Sequence, residues 1–299
     1  VEENLGEGYV RLRVSEAERR QAKHDIQHVE DIVIEMLRNA RDAGADKVYL
    51  ATTKEDGVRT LVFLDNGSGV PQDMQERIFD ARVTSKLESM KMDRWGVHGR
   101  GMALFSIKQN TDEARVVASD VDLGSVFKVS VATDRLGERA DQSSWPQAVK
   151  DEDGHYVCAR GPHNIIRAAC EFALEELRAC DVYLGSPSEI AATLHAQASS
   201  RLDASRLLFI DDEAELPVVD RLGLASDAED FIRICSGLGL EMSERTAHRI
   251  LAGQIKPVRG VTARLLRERD SSSHAPAPVD LAKDRRGLRI AKDDMAQFS

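Results

Sequence analysis

Between Ser15 and about Ala43 the chain carries a helical pattern with two unlike faces, and this pattern limits the fold more narrowly than anything else in the sequence. At about 100° per residue, Val29, Ile32, Val33, Met36, Ala40 and Ala43 share one arc, while Asp31, Glu35, Arg38, Asn39 and Asp42 share another. Such an apolar arc can pack on a sheet, and a sheet pattern follows at once. Residues 47–53 and 58–64 read as strands joined by the turn Glu55-Asp56-Gly57. Ser15 with Glu18 three positions on forms a capping box, and Gly44 is a natural helix stop. Residues 8–14 alternate like a short strand, and Pro71 opens a short helix reaching Phe79. After an irregular polar stretch at 80–98, residues 99–109 read as a helix, and 115–119 and 125–132 as strands across the turn Asp122-Leu123-Gly124. Residues 1–135 are therefore expected to form one α/β layer domain.

The texture changes after Thr133. Residues 136–162 read as linker or loop, and 163–270 as a helical domain with helices near 163–182, 187–200, 227–237, 243–252 and 258–269. Residues 271–299, rich in Ser and Pro at their start, have the composition of a mobile tail. Apolar residues at 42% and a net charge of −10 describe an ordinary globular protein without bulk attraction to nucleic acid. No apolar run approaches the roughly 20 residues of a membrane helix. Val1-Glu2-Glu3-Asn4 lacks the basic and apolar regions of a secretory signal. Cys158, Cys170, Cys180 and Cys235 form no C-x-x-C pair and no zinc spacing. The expectation is a cytoplasmic protein with idle thiols, without a membrane partner.

Three segments carry chemistry. Glu35 and Asn39, four apart, lie one above the other on the polar helix face, a carboxylate beside an amide oxygen that could ligate Mg²⁺. Asp65-Asn66-Gly67-Ser68-Gly69 closes the second strand; a G-x-G alone is weak, and Gly6-x-Gly8 and Gly237-x-Gly239 carry no chemistry. Gly96-Val97-His98-Gly99-Arg100-Gly101-Met102 opens a helix whose free N–H groups and positive dipole end attract phosphate. It matches neither the P-loop nor the Rossmann fingerprint.

Taken in order, Glu-x-x-x-Asn on a helix, Asp-x-Gly-x-Gly after a strand and a glycine turn into a helix closely resemble the GHKL ATPases, over residues 8–132. That superfamily comprises gyrase B-type topoisomerases, the heat-shock chaperone ATPase domain, histidine kinases and MutL proteins. The resemblance implies a two-layer α/β sandwich of the Bergerat type, with ATP and Mg²⁺ as ligands. It implies Glu35 as general base, Asn39 as Mg²⁺ ligand, Asp42 as the acidic residue of the same box, and Asp65 as acceptor of the adenine amino group. Gly67 and Gly69 would let the chain pass close to the base, and Gly99, Arg100, Gly101 and Met102 would wrap phosphate. Thr84-Ser85-Lys86 stands where MutL proteins have a similar triplet, in a segment that closes over nucleotide, with Thr84 and Lys86 near phosphate.

The sequence from Asn39 to Ala45 and the Thr-Ser-Lys triplet lean toward MutL, while residues 70–79 and Gly-Arg-Gly-Met-Ala-Leu lean toward histidine kinases. His24 and His28 read as polar-face residues of the same helix as Glu35 rather than as a phospho-acceptor. No lysine in the helical half stands in for the one by which the MutL and gyrase transducer domain reaches the terminal phosphate. Residues 228–252 resemble a helix-turn-helix, and residues 241–292 hold twelve Lys/Arg against six Asp/Glu, so DNA contact through 227–292 is an open expectation. Two readings follow: a slow Mg²⁺-dependent ATPase with a nucleotide-driven switch, or a non-hydrolysing ATP-responsive regulator. A protein partner or homodimer fits either. A histidine-kinase-like module without its own phospho-acceptor is a third.

Overall fold

The computed structural model describes residues 2–85, 91–93, 96–98, 101–202, 210 and 212–272. Its strands are β1 (Glu3–Gly6), β2 (Tyr9–Arg11), β3 (Lys47–Glu55), β4 (Val58–Asp65), β5 (Val83–Thr84), β6 (Lys91–Asp93), β7 (Gly96–His98), β8 (Glu113–Ser119), β9 (Ser125–Ala132), β10 (Gln147–Lys150), β11 (Tyr156–Arg160) and β12 (Asp181–Gly185). Its helices are α1 (Glu16–Asp25), α2 (Val29–Asp42), α3 (Ala103–Asn110), α4 (Ile165–Glu175), α5 (Pro187–Arg201), α6 (Ala228–Gly237), α7 (Glu244–Leu251) and α8 (Val261–Ser272). Among the described residues, no helix is long and apolar enough to cross a membrane.

A five-stranded sheet, ordered β12-β3-β4-β9-β8, is the frame. Strand side chains alternate between faces, and here both faces are covered. Val48, Leu50, Leu61, Phe63, Phe127, Val129 and Val182 join Ile32, Val33, Met36 and Leu37 of α2 and Ala169 and Phe172 of α4 in one core. Tyr49, Ala51, Val62, Leu64 and Val126 face the other way, against Ile190 and Leu194 of α5, Phe231 and Ile234 of α6 and Ala247 and Ile250 of α7. The expected α/β sandwich is thus present, and helices of the second half lie on its other face. Tyr49 fixes that second layer, because it stacks on Tyr183 at 4.9 Å and its hydroxyl donates to Gln197 Oε1 at 2.5 Å.

Four local expectations are corrected. The pattern at 15–43 is two helices, because Ile26 and His28 are extended and Asp31 Oδ2 accepts from the Gln27 and His28 N–H groups, capping a second start. His24 therefore lies on α1 and Glu35 on α2. Residues 71–79 form two 3₁₀ turns, Gln72–Met74 and Arg77–Phe79. Residues 136–162 contain the antiparallel hairpin β10–β11. The helix expected at 163–182 ends at Glu175, Arg178 takes the left-handed φ of 72°, and β12 pairs in parallel with β3 from Asp181↔Lys47 to Gly185↔Ala51. Five residues of strand pattern cannot outweigh the helical run before them; the open edge of β3 decides the matter. The other three helical stretches and 187–200 correspond to α5 through α8. The tail expected at 271–299 lies, after Ser272, outside the described residues.

All four cysteines are buried and free. Burial, reinforced for Cys180 by Glu176 and Asp181, pushes the Cys180 and Cys235 thiols up to about 12 from the usual 9.0. A raised thiol pKa keeps the reactive thiolate scarce in the folded state. At pH 8 the native protein is therefore expected to leave Cys180 and Cys235 unmodified by a chromogenic disulfide reagent, whereas urea releases all four thiols; rapid native labelling of either would contradict this burial.

Candidate functional site

Strand parity sets the site. Asp65 follows Leu61 and Phe63 at two-residue steps, so its side chain points to the α2 side of the sheet. It is only 4% exposed. Its Oδ1 accepts the Gly67 N–H and its Oδ2 the Ser125 hydroxyl, both at 2.8 Å, Ser125 being its partner in the β4–β9 ladder. On α2, Met36 and Ala40 pack inward, which turns Glu35 and Asn39 along the helix edge that looks over the end of the sheet.

A cavity of about 640 Å³ lies there. Its wall includes Glu35, Asn39, Asp42, Asp65, Gly69, Thr84, Gly101 and Met102, eight residues singled out from the sequence. Gly67 is not among the lining residues; Lys86, Gly99 and Arg100 lie outside the described residues. Apolar lining comes from Met36, Ala40, Phe63, Val70, Ile78 and Phe127. Sequence reading missed Tyr9, Gln21 and Asp25, which the β2–β5 pairing and α1 bring to the wall, and Ser106 and Ser125. The signal for Ser125 was its place opposite Asp65 in the strand register; Tyr9 and Asp25 carry no local signal. A second cavity, of about 250 Å³, shares Asp25 and Glu35 with the first.

The polar edge of α2 is wired by charge. Arg38 Nη1 donates to Glu35 Oε1 at 2.7 Å, and its Nε and Nη2 hold the two oxygens of Asp93 at 2.9 Å each. Arg41 donates to Asp93 Oδ2 and Glu176 Oε1 at 3.2 Å and to Asp42 Oδ1 at 3.3 Å. Burial pulls the Arg41 guanidinium down, but Asp42, Glu176 and Asp93 more than offset it and hold it raised. Asn39 Nδ2 is buried without a hydrogen-bond partner among the described residues. An orphaned buried amide is costly in a finished core and ordinary in a wall built for a ligand.

Residues 26–119 match the family of histidine kinase-, DNA gyrase B- and HSP90-like ATPases. They form a GHKL ATPase-type ATP-binding domain. The DNA mismatch repair proteins MutL of Staphylococcus aureus strains Newman, JH1 and Mu3 are each 28% identical over 136 residues, covering 42% of this chain. The chain spans about a fifth (20%) of the length of these relatives.

Within this GHKL domain the glycine turn is constrained by the protein itself. Gly69 has φ +70°, and a Cβ there would lie 1.8 Å from the Asp120 carbonyl oxygen. Across the same contact, a Cβ on Gly124 would meet the Asp65 carbonyl at 2.2 Å. The two turns are also tied by Asp122 N–H to Ser68 O at 2.8 Å. The glycines expected to admit a base therefore first admit a neighbouring backbone. Gly57 has a similar φ of +78° with open space around it, so Gly57→Ala carries only the conformational cost of about 1–2 kcal/mol. Gly69→Ala adds a backbone collision, and its urea midpoint is expected to fall clearly below that of Gly57→Ala; equal midpoints would show that the turn yields.

Proposed function

We propose that the chain binds ATP with Mg²⁺ in the larger cavity and hydrolyses it slowly, Glu35 acting as general base, Asn39 as a metal ligand and Asp65 as the acceptor of the adenine amino group. One observation carries this reading: Glu35, Asn39, Asp65 and Gly101, from three separated stretches, line one nucleotide-sized cavity. Its apolar lining suits a purine ring. Asp42, Thr84 and Met102 complete the wall, with Lys86, Gly99 and Arg100 assigned to phosphate by resemblance.

The donor chemistry fits Mg²⁺. The carboxylate of Glu35 and the amide oxygen of Asn39 are hard donors one helical turn apart, and the unpartnered Asn39 Nδ2 is left to donate to a phosphate oxygen. Bound metal would supply charge neutralisation at the phosphates. In the chemical step a water oxygen attacks the terminal phosphorus while its proton passes to a Glu35 oxygen. The bond to the bridging oxygen breaks, and ADP leaves with that electron pair.

The Glu35–Arg38 ion pair at 2.7 Å favours a second reading, a regulator that binds ATP without useful turnover, since a carboxylate held by a guanidinium is a weaker proton acceptor. In both readings the second half carries the output. Arg245, His248 and Arg249 of α7 are exposed, which supports contact with DNA or an acidic protein partner within 227–292.

Glu35→Gln decides between the readings. Loss of a general base is expected to lower kcat by about 10²-fold or more while ATP affinity stays within about twofold; a wild type without turnover would favour the regulator. Asp65→Asn replaces an acceptor with a donor and is expected to weaken ATP, by calorimetry, by about tenfold or more, the cost of a charged hydrogen bond. Unchanged affinity in a folded Asp65→Asn protein would refute the adenine assignment.

A further inference from the structure

Asp93 belongs to β6, a three-residue strand in the stretch that the sequence leaves irregular, and it is fifty-five residues from Arg38. Its carboxylate is nonetheless 5% exposed and the Arg38 side chain 4%. Arg38 Nε and Nη2 grip both Asp93 oxygens at 2.9 Å, the fork-to-carboxylate geometry that fixes the plane of a guanidinium. Once that plane is fixed, the direction of Nη1 follows, and Nη1 meets Glu35 Oε1 at 2.7 Å. Arg41 adds a third donor to Asp93, at 3.2 Å to Oδ2. The orientation of Glu35 is thereby tied to the seating of the β6–β7 hairpin.

Stability alone does not account for this arrangement. A buried ion pair gains little over well-packed apolar groups, because desolvation cancels most of its attraction. α2 is already anchored by Ile32, Val33, Met36 and Leu37. What the pair adds is direction. With Asp93 in place, Arg38 spends two nitrogens on the hairpin and offers one to Glu35. Without it, the same guanidinium, one turn away on the same helix, is free to close on Glu35 with its whole fork and its full charge.

We propose that Asp93 is a positioning residue for Glu35, acting through Arg38, so that the seated β6–β7 hairpin holds the carboxylate in its proton-accepting arrangement. This rests on the hydrolytic reading of Glu35. Asp93 touches neither water nor phosphate in this account. Its removal lowers turnover without weakening ATP binding, and its effect vanishes once Arg38 is gone.

The test is a double-mutant cycle on the full chain with Mg²⁺ and ATP, kcat from phosphate release and Kd from calorimetry. Asp93→Asn is expected to lower kcat about tenfold, a part of the general-base contribution, with Kd within about twofold. Asp93→Glu restores part of the loss. The pair Arg38→Ala with Asp93→Asn is expected to be no slower than the slower single variant, the mark of two residues acting as one unit. Should Asp93→Asn melt early, Arg38→Lys, which keeps the charge and loses the fork, is expected to show the same loss of kcat at constant Kd. Unchanged kcat in Asp93→Asn, losses that multiply in the double variant, or Kd rising in step with the loss would overturn the relay, while an inactive Glu35→Gln leaves the hydrolytic reading standing. A Glu35→Gln protein as active as wild type, or a wild type without turnover, overturns that reading and the relay with it.

Discussion

The hydrogen-bonded register between β4 and β9 is the constraint from which the site is built. Asp65 pairs with Ser125 at the end of an eight-residue ladder, and β4 is paired equally fully with β3 on its other side. Strand side chains alternate with a period of two, so a slip of one residue would carry Asp65 to the α5–α6 face and strand its carboxylate among Leu64, Val126 and Phe231. Burial on both faces forbids that slip more strongly than a half-solvated sheet could. The second layer of helices therefore does for the site what no residue of the cavity does: it makes the parity of Asp65 compulsory.

The same frame explains why α2 can carry so many charges. Helix positions 36, 37 and 40 spend their apolar surface on the sheet, which leaves positions 35, 38, 39, 41 and 42 crowded along one edge. Two guanidiniums there meet four carboxylates, of which Asp93 and Glu176 come from outside the helix. An edge of that kind is poor in stabilising energy and rich in geometry, because each planar fork admits few arrangements of its neighbours. Asn39, at the centre of the edge, keeps its amide nitrogen unpaired.

Local chemistry was legible in the sequence and long-range pairing was not. The amphipathic arc, the capping box at Ser15 and Glu18, the two strands after Gly44 and the turn at Asp65 all follow from residues within a few positions of one another. The break at Ile26–His28 was missed because helical periodicity runs through it, although Asp31, three residues after His28, was its available signal. The runs Val48-Tyr49-Leu50-Ala51 and Leu61-Val62-Phe63-Leu64 do not alternate between apolar and polar, and this already stated that both faces are covered. β12 had no such signal. Its five residues become a strand through partners 134 positions away, at the open edge of β3. Asp93 was hidden for the same reason: nothing in its neighbourhood marks a carboxylate whose partners lie on another element.

Those long-range pairings also join the site to the second half of the chain. β12 continues the sheet beside β3, α4 packs on α2, and Glu176, the residue capping α4, receives Arg41 at 3.2 Å. Arg41 in turn shares Asp93 with Arg38. A displacement of the β6–β7 hairpin therefore alters the charge balance at the end of α4 through two guanidiniums, without any movement of the sheet. A close-packed interior resists gradual deformation, so a change at one end of such a chain is passed on as a rearrangement of ion pairs rather than absorbed. The direction of transmission is set by the sequence of contacts, from hairpin to α2 to α4, and α4 leads directly into the strand that closes the sheet.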